Sequence, residues 1–282
     1  MNITLIGFLL GMLLLVLPLV AMYRYGLRIS VGRALSAIFR MVIYVGIMGF
    51  VMYMLQKDGS VAMSLLFALV LIVLAAVAAI LRSRLRLRVL FVPVVAAVAV
   101  SVIVVSAWLL LVTLGTGALV SPRFFLPVVG ILSGTAITAC SDSLSAYYDG
   151  LRHHNQLYFY LLGNGATHAE ALDTFVRRAL EKAVMPGLSQ MATVVVGTAP
   201  VMMWTMIMCG QGAIEAAAFQ LLVMAAAFCV SVMSVLLAVI LTRKYMFDEY
   251  SRLNTLRKAD DKEPSAVQET VAQEAADEVD EN

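Results

Sequence analysis

Val61 to Leu81 reads VAMSLLFALVLIVLAAVAAIL, twenty-one residues without a charge. At 1.5 Å per residue a helix of that length covers about 31 Å, the thickness of a bilayer's hydrocarbon core. The rest of the chain repeats the pattern. Of its 282 residues 62% are hydrophobic and only 13% charged, more apolar than a soluble core of that size needs. Seven apolar runs of spanning length follow one another: Thr4–Met22, Ile38–Leu55, Val61–Leu81, Val89–Leu114, Phe124–Leu144, Met191–Cys209 and Ile214–Leu241. The expected fold is all-α: an integral, polytopic bundle of about seven transmembrane helices.

The first run has no positive residues before it and a long apolar core, and its nearest basic residues, Arg24 and Arg28, come after it. It reads as a retained span rather than a cleaved signal peptide. Basic residues then set the expected orientation, because cytoplasmic loops collect Lys and Arg. Arg24, Arg28 and Arg33 follow the first run, Arg82, Arg84, Arg86 and Arg88 the third, Arg152, Arg177, Arg178 and Lys182 the fifth, and Arg243 and Lys244 the seventh. Only Lys57 and Arg123 fall on the other side. The N-terminus is expected outside and the C-terminus in the cytoplasm. Residues 1–258 form the membrane domain in this reading, with a cytoplasmic loop over about 145–190.

The end of the chain has a different character. From residue 260 onward nine acids face one Lys, whereas the preceding residues hold 19 Lys and Arg against 9 acids. Residues 259–282 are too acidic and too poor in large apolar side chains to build a core, so a disordered tail is expected. The three cysteines, Cys140, Cys209 and Cys229, lie in or at the ends of apolar runs, and no disulfide framework is expected.

Inside the long loop, LLGNGATHAEALDTFVRRAL (161–180) reads like a helix from a soluble protein. Thr167 followed by Glu170 fits a capping box. Ala171, Leu172, Phe175, Ala179 and Leu180 recur at helical spacing, while Glu170, Asp173, Arg177 and Arg178 face elsewhere. Gly163-Asn164-Gly165 makes a turn before it, and Pro186-Gly187 is expected to end it. Such a helix, over about 167–185, either covers the inner ends of the spans or docks into a partner's groove.

The segment LGNGATHAEA, with Met185-Pro186 beyond it, resembles the loop that ABC-transporter permeases insert into a cleft of their ATPase subunit. Ala199, Pro200, Met202, Met203, Gly210, Glu215, Ala216, Gln220 and Met224 look like the signature of the FetB-type (YbbM-like) permeases, a family linked to iron export. Leu126 to Ala139, LPVVGILSGTAITA, looks like a second segment of that family. Together these matches cover about residues 126–245. The chain departs from the pattern at Thr135, where the family usually has Asn, at Val201, where it tends to have Gly, and at Thr205, another glycine position.

The resemblance implies a permease subunit of an ABC transporter in a bacterial inner membrane, exporting a metal ion such as iron. In this reading it would not itself be an enzyme. The chain contains no G-x-x-x-x-G-K-[ST], so it would bind no cofactor and a separate ATPase chain would use the ATP. One docking helix per chain implies two permeases with two ATPases. Lipid is the other expected partner, and nucleic acid is not. Gly163, Gly165, Ala166, Thr167 and Glu170 would provide the coupling turn, with Phe175 anchoring the helix onto the spans.

For a metal, Met202, Met206 and Cys209 fall on one side of a helix, and Cys140 and Asp142 are candidate complements from the fifth run. No C-x-x-C, H-E-x-x-H or His-rich tract accompanies them. Arg40 lies two turns deeper than Arg33 in the second run and pairs within the bundle or lines the pathway. His153 and His154 sit in the loop as solvated residues or metal contacts, and Glu215 lies at an outer turn. Methionine is also a gap-filler of apolar packing. An ABC permease for another substrate, a non-ABC channel or assembly factor, and a membrane-embedded lipid enzyme are the alternatives to iron export.

Overall fold

The computed structural model describes residues 24, 31–58, 60–115, 121–194 and 200–246. The first apolar run and the acidic tail lie outside the described residues. Within them the chain forms eight helices and no strand: α1 (Val31–Asp58), α2 (Val61–Arg82), α3 (Leu87–Leu114), α4 (Pro122–His153), α5 (Asn155–Gly163), α6 (His168–Ala192), α7 (Val201–Met208) and α8 (Ala213–Met246). Helix is the backbone's answer to a bilayer, since lipid satisfies no N–H or C=O group. Five of these helices are long and apolar enough to cross a membrane: α1, α2, α3, α4 and α8.

The residues up to Ser60 and those from Val61 onward form two units. In the first, α1 carries Arg40 in an exposed position on an otherwise largely apolar helix. In the second, α2, α3, α4 and α8 pack on one another, and α6 lies against both α4 and α8. The packing is built from small residues. α2 buries Ser64, Ala68, Ile72, Ala75, Ala76, Ala79 and Ile80 along one stripe, which lets neighbouring backbones approach closely. The opposite faces are apolar too, with Leu65, Leu69, Trp108 and Leu221 exposed, as lipid-facing surfaces require. Several interior hydroxyls are returned to their own helices, Ser101 donating to the Ala97 carbonyl at 2.8 Å and Thr242 to that of Ala238 at 2.6 Å, whereas those of Ser133, Ser143 and Tyr147 are buried without a partner among the described residues.

Three expectations are corrected. α4 does not stop near Leu144 but continues to His153, burying Tyr147, Tyr148 and Leu151. Asp142 does not interrupt it, because its carboxylate accepts from the Ser141 hydroxyl at 2.9 Å and meets the Arg82 guanidinium at 3.9 Å.

Pro186-Gly187 does not end the loop helix, and α6 runs through both residues to Ala192. Proline there forgoes one ladder bond. Gly187 compensates by close approach: a Cβ on it would stand 2.7 Å from Cδ2 of Phe228, so the absence of a side chain is what lets α6 lie on α8.

The sixth apolar run, Met191–Cys209, is not one helix. It is divided between the last turn of α6, which ends at Ala192 with Thr193 as a non-helical cap, and α7, whose eight residues rise only about 12 Å; residues 195–199 lie outside the described residues. Pro200 precedes the first turn of α7 and has no side-chain cap to offer it. The Gln220 side-chain oxygen on α8 takes that part, accepting from the Met203 N–H at 3.3 Å.

Candidate functional site

Two features are brought together by α6: an exposed turn at its start and an open cleft along its later half. The turn begins where α5 ends. The Gly165 N–H donates to the Leu162 carbonyl and the Ala166 N–H to that of Leu161, both at 3.1 Å, and Gly165 takes φ +87°. This is a Schellman closure, and its left-handed residue is a position glycine fills without strain. Thr167 then starts α6. Its N–H donates to Glu170 Oε2 at 2.8 Å, and the Glu170 N–H donates to Thr167 Oγ1 at 3.4 Å, forming the capping box expected from sequence. The hydrogen bonds from the Thr167 backbone and hydroxyl hold the Glu170 carboxyl below its usual range. Gly163, Gly165, Thr167 and Glu170 are exposed and Ala166 is half-buried, so the turn presents its edge outward.

Beneath the turn, α6 is seated. Ala171, Leu172, Phe175, Ala179 and Ala183 are buried, with Leu180 half-buried at the edge of the same face. Phe175 is 1% exposed, and its Cδ1 stands 3.4 Å from where a Cβ on Gly150 of α4 would lie. At the first turn the His168 Nδ1 lies 2.8 Å from the Tyr158 hydroxyl of α5. Burial, and then the positive charge of Arg243 on α8, keep the imidazole below its ordinary pKa. Residues of α5, α6 and α8 thus converge just under the turn. Periodicity and capping foretold the helix, but nothing local in the sequence signalled this cluster.

The later half of α6 walls a cleft shared with α4 and α8. A cavity of about 120 Å³ is lined by Thr135, Thr138 and Asp142 of α4, Lys182 and Gln190 of α6, and Ser231 of α8, with apolar walls from Met224 and Phe228. A larger one of about 340 Å³ adjoins it through Gln190, Met224 and Ala227, and is bounded by Met202, Thr205 and Gln220. Thr135 and Thr205, two of the departures from the FetB-type pattern, both stand in these walls. Lys182 and Gln190 belong in sequence to the 145–190 loop, and their meeting with α4 and α8 is a tertiary event.

The residues considered for a metal are scattered. Asp142 lines the smaller cavity and Met202 the larger. Met206 is half-buried one turn further along α7 and lines neither, and Cys209 is exposed at the end of that helix. Cys140 is buried and hydrogen-bonded to Ser234 of α8. Among the described residues no three His, Cys, Asp or Glu side chains converge. His153 and His154 are exposed, with the His153 Nδ1 2.7 Å from the Asp149 carbonyl, and Glu215 is exposed in the first turn of α8.

A family model described as "Uncharacterised protein family (UPF0014)" matches residues 5–247. The chain belongs to this family. The family includes FetB-type permeases, in agreement with the resemblance carried by the 126–245 segment. The UPF0014 chain is thus a polytopic helical membrane protein of permease-like type. It is similar to Protein ALUMINUM SENSITIVE 3 of Arabidopsis thaliana, with 33% identity over 104 residues, which are 37% of this chain and 38% of that protein. The match therefore spans well under half the length of this curated relative. No solved structure matches the chain.

Proposed function

We propose that the chain is the membrane-spanning permease subunit of an ABC transporter that exports a metal ion such as iron across a bacterial inner membrane. A separate ATPase subunit docks on residues 161–186 and supplies the work, and the complex contains two permeases and two ATPases. The single observation that carries the reading is the exposed Gly163–Thr167 turn leading into the seated helix α6, which also walls the cleft. A helix that merely covered the spans would need no projecting glycine turn. The basic residues after the first, third, fifth and seventh runs support a cytoplasmic position for that turn. The name of the Arabidopsis relative ties that protein to aluminium, which favours a metal-linked cargo here. Asp142 and Met202, one in each cavity, are the members of the candidate metal set best placed to meet such a cargo.

The test is coupling. Ala166→Trp puts bulk on the turn, and Thr167→Pro removes the N–H that holds Glu170. Both variants should insert normally, lose copurification of the ATPase, and lose transport-linked ATP hydrolysis. Retained ATPase binding and transport in both would leave the loop as a structural cover and defeat the reading.

A further inference from the structure

The cleft's chemistry says more about the cargo than its shape does. The hydroxyl of Thr135 donates to the Leu132 carbonyl at 2.8 Å, that of Thr138 to Thr135 at 2.9 Å, and that of Ser231 to Ala227 at 2.8 Å. A hydroxyl has one proton, and each of these has given it to its own helix. What they can offer a ligand is lone pairs. A ligand seated among them must bring donors of its own.

The charges point the same way. Asp142, the one carboxylate in the lining, is answered by Arg82 at 3.9 Å and by the Ser141 hydroxyl. Lys182, the one ammonium, has no ion partner among the described residues. Asp142 and Lys182 bring the lining to no net charge, and the ammonium is the one of the two without an ion partner among the described residues. A bare cation would meet Lys182 with its like charge and would find no set of anionic ligands to offset that. An anion would find a counter-charge already in place. The cavity of about 120 Å³ that holds these groups adjoins the one of about 340 Å³, and only the latter by itself lies in the range of small-molecule sites.

We infer that the cleft binds a small organic anion bearing hydroxyl donors, a hydroxy acid, taken either alone or as the chelator around the exported metal. Lys182 holds a carboxylate, and the acceptor oxygens of Thr135, Thr138 and Ser231 receive the ligand's hydroxyl. This deepens the permease reading and rests on it for transport, while binding itself can be measured on the permease alone.

The experiment uses purified full-length permease in detergent and radiolabelled citrate. Tricarballylate, which keeps the three carboxylates and lacks the hydroxyl, is the first competitor, and ferric citrate and ferrous ion alone are the others. Citrate should bind at least about tenfold more tightly than tricarballylate, because the analogue leaves the acceptors without their donor. Lys182→Gln should abolish binding and Lys182→Arg should restore it. Thr135→Val with Thr138→Val should erase the preference over tricarballylate. Ferric citrate competing more strongly than citrate would assign the chelate as the ligand, and weaker competition would assign the free acid. Equal binding of citrate and tricarballylate, or binding unchanged in Lys182→Gln, overturns the inference. So does ferrous ion binding with no binding of either citrate form. Citrate binding by a chain that recruits no ATPase would keep the site and remove the permease reading, whereas ATPase recruitment without citrate binding would do the reverse.

Discussion

Replacing Phe175 with alanine tests the seat of α6. The ring is 1% exposed and rests on the Gly150 position of α4 without a gap. Truncating a buried Phe to Ala costs about 3–5 kcal/mol, since the ring's contacts vanish and close packing fills the void only in part. If those contacts hold α6 down, its local opening free energy falls by that amount. At about 1.4 kcal/mol per tenfold, amide exchange in the 171–183 segment should accelerate from roughly a hundredfold to a few thousandfold, with α2 and α3 little changed. Hydrogen exchange read by mass spectrometry on the detergent-solubilised protein measures this directly. Gly150→Ala is the companion: its Cβ would make ordinary contact with the Phe175 ring, and the change gains about 1 kcal/mol of helix propensity. Exchange in α6 should then slow or stay the same. If Phe175→Ala leaves exchange in 171–183 within threefold of the parent, the buried ring is not what seats the helix, and the coupling argument loses its anchor.

Gly165→Ala places a side chain on a residue at φ +87°, which should weaken the turn by about 1–2 kcal/mol and lower ATPase affinity about tenfold in a pull-down titration, while membrane insertion stays normal. His168 gives a pH signature. Its folded-state pKa lies below the unfolded value of about 6.5, so the seating of α6 is fully stabilised above that pH and weakens as pH falls through the folded pKa. Exchange in the first turns of α6 should rise on acidification from pH 7.5 to 5.5, and His168→Gln should flatten the profile; equal slopes in the two proteins would exclude His168 as the titrating group. Met202→Leu combined with Met206→Leu conserves volume, so with Met202 in the path of the cargo a selective loss of metal export at normal expression is expected, and export within about twofold of the parent removes the sulfur face from the pathway.

The spans were legible because the bilayer constrains sequence so heavily. Val61–Leu81, Val89–Leu114 and Ile214–Leu241 anticipate α2, α3 and α8 to within a few residues at most ends. The beginning of α6 was equally legible, since Thr167 and Glu170 make a local device that carries its own geometry. Its end was not. Pro186-Gly187 reads as a stop by every local rule, and what overrides the rule is the Phe228 ring, about forty residues away in sequence but adjacent in space. Apolar composition was equally silent on the break between α6 and α7, because a hydrophobic run reports burial in lipid and says nothing about continuity. The cleft was illegible for the same reason: Thr135, Lys182 and Ser231 come from three helices, and only packing makes them neighbours.

The passage of α6 through Pro186 has a mechanical consequence. From Thr167 to Pro186 the helix is a strut about 28 Å long, stiff because each turn is tied to the next. Pro186 has no N–H for the Lys182 carbonyl, so the strut has one seam, and that seam stands in the wall of the smaller cavity. A force applied at the projecting turn would bend this shaft first at the seam, where one tie is missing, and so at the cavity wall between Lys182 and Gln190.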